Sequence, residues 1–226
     1  MPLRVIIADD HPAVRVGMRM SVQAKLDEVV ACVPGPGQLL AAASAVPCDV
    51  ILTDLCMPGE REPDGFLMLS ELRARLPDTP IVLLTIVDNL GVARVAAAHG
   101  IRCIVDKGAR AEEIGEAISA AAQGRSFISE ALTRRCRNFS LIDANGAWTE
   151  YPCDAELELL ERLGSGQSLP QAARKMGRSF SYAWHDRLLG MRKLGVTSHA
   201  EISSLLALGG LRPAPAKARP SRDAGA

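Results

Sequence analysis

Short apolar segments alternate with longer amphipathic segments through the first half of the chain. The apolar segments are five or six residues long and are bounded by Gly, Pro, Asp or Asn. Such runs are typical of strands buried on both faces of a parallel sheet, in which helices connect successive strands. The pattern predicts an α/β fold, a doubly wound (βα)5 domain over residues 1–124. The predicted strands are Leu3–Ala8, Val29–Val33, Val50–Leu55, Ile81–Thr85 and Ile101–Val105, and the predicted helices are Ala13–Leu26, Gly37–Ala45, Gly65–Leu76, Leu90–His99 and Ala111–Gln123.

The second half of the chain has helical periodicity. Leucines and alanines recur three and four residues apart between residues 153 and 211, and three breaks that begin with Gly and end with Ser divide this region. The serine that ends each break can accept a hydrogen bond from a free N–H of the next helix. We therefore predict an all-α domain of four helices. Residues 125–152 are predicted to be a partly helical linker, and the Pro/Ala-rich residues 212–226 a disordered tail.

Charge divides the chain in the same way. The 226 residues include 26 basic and 26 acidic side chains, for a net charge of zero. Residues 1–150 hold 15 basic and 19 acidic side chains, which leaves 11 basic and 7 acidic for the remainder. This asymmetry favours an acidic domain joined to one that can meet a polyanion. The sequence has no export signal, no apolar run near the roughly 18 residues that span a bilayer, and no CxxC pair, so we expect a cytoplasmic protein without a membrane partner.

Five polar side chains lie at the carboxyl ends of the predicted strands. Asp9 and Asp10 follow the first strand, Asp54 lies at the end of the third, Thr85 ends the fourth and Lys107 follows the fifth. Functional groups of a doubly wound sheet collect at this edge, and three converging carboxylates would repel unless a hard cation such as Mg²⁺ joined them. Asp54 could then attack a phosphoryl group, with Lys107 offsetting the charge of the acyl phosphate and Thr85 donating a hydrogen bond to it.

Each of these residues alone has an ordinary explanation. Asp9 can cap a helix, Lys107 can be a solvated surface charge and Thr85 can simply end a strand. Their joint occurrence favours a phosphoryl-accepting site. We do not expect an enzyme, because an aspartate-nucleophile phosphatase needs a second carboxylate two residues after the nucleophile, and that position is Cys56.

The first 124 residues resemble the receiver domain of a two-component response regulator. The resemblance implies that Asp54 accepts a phosphoryl group from a sensor histidine kinase or a phosphotransfer protein. It also implies a Mg²⁺ site formed by Asp9, Asp10, Asp54 and the backbone carbonyl of Cys56, with Thr85 and Lys107 contacting the phosphoryl group. Ile104 departs from the family pattern, since many receivers carry an aromatic partner of the switch threonine there. The runs that carry the resemblance are VIIADDHP (Val5–Pro12), VILTDLCMPGE (Val50–Glu60), Asp64-Gly65, IVLLT (Ile81–Thr85) and DKGA (Asp106–Ala109).

The second half resembles the four-helix helix-turn-helix domain of the LuxR/FixJ (NarL) class. Leu169–Met176 corresponds to the supporting helix and Phe180–Leu194 to the recognition helix that enters the major groove of DNA. Together, the DLCMPG run (Asp54–Gly59) and Arg178-Ser179 are most similar to the capsule-regulating phosphorelay members of the class. The candidate DNA-contacting residues are Arg178, Ser181, Tyr182, Trp184, His185, Arg187, Leu188, Arg192 and Lys193.

Tyr182 and Trp184 are unusual in a recognition helix of this class. Three explanations remain open: the aromatic side chains contact sugar or thymine methyl groups, they form a protein-binding surface, or one of them fills volume lost at Ala172 and Ala183. The sequence is interpreted as a phosphorylation-controlled transcriptional regulator that forms homodimers, with a heterodimer with another regulator as a further possibility. The alternative is an adaptor whose helix-turn-helix binds another regulator instead of DNA.

Overall fold

The computed structural model describes residues 1–59, 62–86 and 88–213 of the chain. The predicted tail therefore lies outside the described residues, except for Arg212 and Pro213. The first half of the chain, in which apolar and amphipathic segments alternate, folds into a parallel α/β domain whose elements lie close to the predicted bounds. Its elements in chain order are β1 (Arg4–Ala8), α1 (Pro12–Gln23), β2 (Glu28–Val33), α2 (Pro36–Ala45), β3 (Val50–Thr53), α3 (Gly65–Arg75), β4 (Ile81–Thr85), α4 (Leu90–Ala98), β5 (Cys103–Asp106), α5 (Ala111–Ala122) and β6 (Phe127–Ile128).

The strands form one parallel sheet in the order β2-β1-β3-β4-β5-β6. Alternate residues of the central strands point to opposite faces, as the period of a strand requires. Ile51 and Leu83 pack in a core with α2, α3 and α4, while Leu52 and Val82 pack in a second core with α1 and α5. Burial on both faces explains why the strands are nearly continuous apolar runs.

The segment that we predicted to be a linker contributes to the sheet. Residues 127–128 form β6, which pairs with β5 and adds a sixth strand to the five predicted. A helix, α6 (Glu130–Asn138), follows, as the prediction of a partly helical segment anticipated. The backbone then turns through Asn145 and Gly146, and Ile142 forms an antiparallel bridge with Trp148. β6 is only two residues long, which is why no apolar run in the sequence marks it.

Four helices form the second domain, as predicted: α7 (Asp154–Gly164), α8 (Leu169–Lys175), α9 (Phe180–Leu194) and α10 (His199–Ala207). Ser179 and Ser198 cap α9 and α10 by accepting hydrogen bonds from Tyr182 N–H and Glu201 N–H. Gly195, at φ 74°, ends α9 in the left-handed conformation that glycine adopts without strain. Across the described ranges, no helix combines the length and the hydropathy that a bilayer crossing requires.

Arg212 is part of the folded helical domain and not of a disordered tail. Its guanidinium lies 2.7 Å from a carboxylate oxygen of Asp154 and 2.9 Å from one of Glu161. Tyr151 O–H donates a 2.6 Å hydrogen bond to the carbonyl of the adjacent Leu211. These contacts fasten the chain to α7 beyond the end of α10. The composition of residues 212–226 gave no sign of them, because both acidic partners of Arg212 are more than 50 residues away in sequence.

The two domains pack against each other through α4. A side-chain carbon on Gly91 would lie 2.6 Å from Leu205 and 2.8 Å from Val196, both in the helical domain, so a larger residue would require these side chains to shift. Asn89 caps α4 by accepting a hydrogen bond from Gly91 N–H, and it donates one to the carbonyl of Glu201. The start of α4 is therefore shared between the receiver-like domain and the helical domain.

Two methionines on α1 provide a matched test of the core. Met18 is 1% exposed and packs on the sheet, whereas Met20 is 66% exposed. Met18→Ala is expected to lower the free energy of unfolding by about 2–5 kcal/mol, because it leaves a cavity in a close-packed core. Met20→Ala should change it by less than about 0.5 kcal/mol. Urea unfolding followed by circular dichroism measures both, and equal effects would contradict the assigned packing of α1.

Candidate functional site

The parallel sheet brings the predicted polar residues together at the carboxyl ends of the central strands. β3 ends at Thr53, so Asp54 is the first residue beyond it, just as Asp9 is the first beyond β1. Ala8 pairs with Thr53 in the sheet, and the Asp54 N–H donates a hydrogen bond to the carbonyl of Ala8. Register between two neighbouring strands therefore places the two carboxylates side by side.

Lys107 joins these two carboxylates. Its ammonium nitrogen lies 2.8 Å from Asp54 Oδ2 and 2.7 Å from Asp9 Oδ2. Only the contact with Asp54 has hydrogen-bond geometry. Burial lowers the pKa of Lys107, but the hydrogen bond to Asp54 and the close contacts with the carboxylates of Asp54 and Asp9 raise it more, and the net shift is upward. The lysine therefore stays protonated and offsets part of the negative charge of the pocket.

Asp54 is buried and partly shielded from water. Its side chain accepts a 2.7 Å hydrogen bond from Leu55 N–H through Oδ1, and Oδ2 faces Lys107. Burial raises the pKa of Asp54, and this effect exceeds the lowering caused by the hydrogen bond and charge of Lys107. A carboxylate with little hydration and a cation beside it suits attack on an electrophilic phosphorus atom.

Asp9, Asp10 and His11 form a group whose ligand atoms all lie within 4.8 Å of one another. Asp9 Oδ1 accepts a 2.8 Å hydrogen bond from His11 N–H, and Asp10 Oδ1 lies 2.6 Å from His11 Nδ1. Asp9 Oδ2 and Asp10 Oδ1 are buried, yet neither has a hydrogen-bond partner of good geometry among the described residues. Buried carboxylate oxygens in this condition fit a hard divalent cation, so the pocket has the chemistry of a cation site.

Sequence reasoning missed His11, although it stands next to the two aspartates in the run DDHP. Its ring lies against both carboxylates but is largely exposed to solvent. Asp64 also has a role that the sequence did not suggest. Both of its carboxylate oxygens lie 3.0 Å from Met57 N–H, so Asp64 holds the loop that follows Asp54.

The remaining predicted site residues lie around this pocket. Thr85 is 4% exposed, and its carbonyl accepts a 3.0 Å hydrogen bond from Lys107 N–H. Cys56 is exposed at the mouth of the pocket, where partial burial and nearby carboxylates raise the pKa of its thiol to about 11. Ile104 is buried in the core beside Leu83, in the position where the family pattern has an aromatic side chain.

The amino-terminal half of α9 exposes an aromatic surface. Phe180, Tyr182, Trp184 and Leu188 are all about half exposed or more, and the rings of Phe180 and Trp184 stack at a centroid distance of 6.3 Å. Ser181 and His185 are exposed beside them. Ala172 and Ala183 are buried, but Tyr182 and Trp184 point away from that core. The interpretation that one of these aromatic residues fills core volume is therefore wrong.

The basic residues near α9 differ in whether their charges are paired with other side chains. Arg178 pairs with Asp186 at 2.7 Å. Lys193 is 16% exposed, and its ammonium lies 3.1 Å from Glu156 and 3.3 Å from Glu150. The Arg187 guanidinium lies over the Trp184 ring, 5.2 Å from its centroid. Arg192 is exposed. Of the candidate phosphate-contacting residues, Arg192 is the one whose charge is most available.

Comparison with known proteins agrees with this geometry. Residues 5–119 match the family model of the response regulator receiver domain. The transcriptional regulatory protein RcsB of Escherichia coli (strain K12) is 28% identical over 213 residues, which is 94% of this chain and 97% of RcsB. The resemblance to response regulators of the LuxR/FixJ class, drawn from the sequence, is confirmed.

Two solved structures of the related RcsB extend the comparison to both domains. RcsB from Salmonella enterica serovar Typhimurium, bound to promoter rprA in the presence of phosphomimetic BeF3⁻, gives a TM-score of 0.74 at 27% identity, covering 92% of this chain and 98% of that chain. A Salmonella typhimurium RcsB structure concerned with conformational dynamism for DNA interaction gives a TM-score of 0.58 at 27% identity, covering 91% of this chain and 99% of that chain.

Lys107→Met tests the electrostatics of the pocket. Without the ammonium, Asp9 and Asp54 face each other as buried carboxylates with no cation between them. We expect the free energy of unfolding at pH 7, measured with a metal chelator present, to fall by about 3–5 kcal/mol. Adding Asp54→Asn to the Lys107→Met variant removes one of the two charges, so it should restore part of the loss. A double variant as unstable as Lys107→Met would contradict the proposed repulsion.

Proposed function

Because this chain belongs to the response regulator receiver family, we propose that it is a transcriptional regulator controlled by phosphorylation of Asp54. The phosphoryl group comes from a sensor histidine kinase or a phosphotransfer protein, and its arrival changes dimer contacts and DNA binding. Such a regulator acts in the cytoplasm, where the phosphorylated histidine and the promoter are both accessible. The observation that carries the proposal is the buried Asp54 carboxylate, hydrogen-bonded to Lys107 beside the carboxylates of Asp9 and Asp10.

The chemistry is the transfer of one phosphoryl group. A carboxylate oxygen of Asp54 forms a bond to phosphorus as the bond between phosphorus and the histidine nitrogen of the donor breaks, and the electron pair stays on that nitrogen. Lys107 stabilises charge on the acyl phosphate, and Thr85 donates a hydrogen bond to a phosphoryl oxygen. Asp9, Asp10 and Asp54, with the Cys56 carbonyl, are proposed to hold Mg²⁺, which supplies further charge stabilisation for phosphoryl transfer. The chain transfers the group to itself and does not turn over a separate substrate.

The helical domain is proposed to bind DNA through α9. The Salmonella relative with the same two-domain arrangement is bound to promoter rprA. In this chain, Ser181, Tyr182, Trp184, His185 and Leu188 are exposed on the part of the helix that would face base edges. A dimer would present two such helices to paired half-sites. Residues 153–211 carry a net charge of only +1, counting seven basic and six acidic residues, so we expect binding to depend on dimer formation.

An adaptor function is the second candidate, and the exposed aromatic surface of α9 favours it. Tyr and Trp are enriched where proteins contact each other, and Arg178 and Lys193 are committed to ion pairs within the chain. In that case the helical domain would bind another regulator as a heterodimer. The absence of any DNA complex at low salt, with the folded wild-type protein, would favour the adaptor.

Asp54→Ala is expected to abolish phosphorylation. Wild-type protein incubated with Mg²⁺ and a small phosphodonor such as acetyl phosphate should gain one acid-stable, base-labile phosphoryl group, detected by mass spectrometry. The variant should gain none, because it lacks the carboxylate that is proposed to form the bond to phosphorus. Cys56→Ala serves as the control, since only its backbone carbonyl is proposed to take part. Labelling of Asp54→Ala at the wild-type level would overturn the assignment of the nucleophile.

Arg192→Ala and Lys193→Ala separate DNA contact from stability. Arg192 is exposed, so its loss should weaken binding to a short generic duplex and reduce the slope of log K against log salt by about 1. Lys193 pairs with the buried Glu156, so its loss should lower the free energy of unfolding by about 1–3 kcal/mol and leave the salt slope unchanged. Fluorescence anisotropy at several salt concentrations measures the slopes, and equal slopes for both variants would contradict the assignment.

A further inference from the structure

Arg94 is a nearly buried arginine that the phosphoryl chemistry does not use. It lies on α4, is 3% exposed, and reaches out of the receiver domain into the helical domain. Its Nε donates a 3.0 Å hydrogen bond to the carbonyl of Lys193, and Nη2 donates to the carbonyl of Thr149. The guanidinium also lies over the rings of Trp148 and Tyr151, 5.4 Å and 5.3 Å from their centroids. Arg94 thus makes four contacts outside its own domain.

The partners of Arg94 match the shape and charge of a guanidinium. Lys193 is in the last turn of α9, where helix carbonyls lack partners and carry partial negative charge. A planar cation can donate to two carbonyls at its edge while its faces stack on aromatic rings. Burial lowers the pKa of Arg94, and within the described part of the chain its guanidinium donates to backbone carbonyls and not to a carboxylate. Two backbone carbonyls and two aromatic rings compensate for its burial.

α4 also begins close to the phosphoacceptor pocket. Thr85, at the end of β4, contacts Lys107 through its carbonyl, and α4 starts five residues later at Leu90. The cap residue Asn89 is itself bonded to Glu201 of the helical domain. The helix that follows β4 therefore contacts the helical domain at two points, Asn89 and Arg94, on successive turns.

The packing of the helical domain against α4 leaves the exposed residues of α9 that are proposed to contact DNA accessible. Arg94 holds the carboxyl end of α9, whereas Tyr182 and Trp184, near the amino end, remain 65% and 45% exposed. The whole-chain TM-score is higher for the DNA-bound, phosphomimetic relative than for the other Salmonella structure, 0.74 against 0.58 at nearly equal coverage. The arrangement of domains seen here thus corresponds more closely to a DNA-bound state.

From these observations we infer that Arg94 is a positioning residue that couples the phosphoacceptor pocket to the recognition helix by holding the helical domain against α4 in the arrangement that binds DNA. The inference rests on the proposed function. We call the packing of the helical domain against α4 docking. If phosphorylation of Asp54 favours docking, then docking must equally favour phosphorylation. A variant that loses docking should therefore bind a phosphoryl mimic at Asp54 more weakly.

The test is the affinity of the full-length protein for beryllofluoride with Mg²⁺, followed by ¹⁹F NMR, without DNA. Arg94→Ala is expected to weaken this affinity about fivefold or more, and Arg94→Lys, which keeps the charge but not the planar fork, by less. Trp148→Leu removes a stacking partner of Arg94 in the segment between the two domains and should act in the same direction. Arg75→Ala is the control, because Arg75 is exposed on α3 and pairs there with Glu71 of the same helix. A merely structural role would not move a binding constant at a distant carboxylate.

If Arg94→Ala binds beryllofluoride as tightly as wild type, the proposed coupling is wrong. If the variant binds it more tightly, docking belongs to the unphosphorylated state, and the proposed coupling is wrong as well. If wild-type protein binds no beryllofluoride, the proposed phosphoacceptor is wrong, and amide hydrogen exchange then judges the docking separately. Faster exchange in α4 and in the last turn of α9 in Arg94→Ala than in Arg75→Ala supports Arg94 as the docking residue, and equal exchange overturns it.

Discussion

The attraction between the Lys107 ammonium and the carboxylates of Asp9 and Asp54 is the interaction on which the functional end of this molecule depends. Two buried carboxylates at the ends of neighbouring strands repel, and the sheet tolerates them because a partly buried cation lies between them. The strand ends are thereby held in one register around a pocket in which Asp9 Oδ2 and Asp10 Oδ1 have no hydrogen-bond partner of good geometry among the described residues. The same arrangement that makes the pocket stable leaves it ready for a cation and a phosphoryl group.

α4 gives this pocket a route to the rest of the chain. It starts a few residues beyond Thr85 and carries Gly91, whose missing side chain lets Leu205 and Val196 approach closely. Arg94 then crosses the boundary between the domains. A helix that packs at once on the sheet and on a second domain cannot shift without changing one of the two interfaces, because packed interiors deform little. On the proposed function, this packing would carry a small change at Asp54 to α9.

The surface of α9 is less basic than its sequence suggests. The chain has basic residues on both sides of the recognition helix, but Lys193 and Arg178 are neutralised by acidic partners and Arg187 stacks on Trp184. Aromatic side chains supply most of the exposed area that remains. Recognition by this helix would therefore depend more on contact area and dimer geometry than on a strong electrostatic field.

The sequence by itself determined the order of the first five strands and their helices, the doubly wound sheet, and the meeting of Asp9, Asp10, Asp54 and Lys107 at one edge of it. These depend on local apolar periodicity and on the rule that strand ends meet at one edge, both of which can be read from a single chain. Tertiary structure alone decided the sixth strand, the place of Arg212 on α7, the pairing of Lys193 with Glu156 and the burial of Arg94 between domains. Each of these depends on a partner far away in sequence, from 24 residues for the pairing of β6 with β5 to 99 for Arg94 and Lys193. A local pattern carries no information about such partners, because only the packed fold brings them within contact distance.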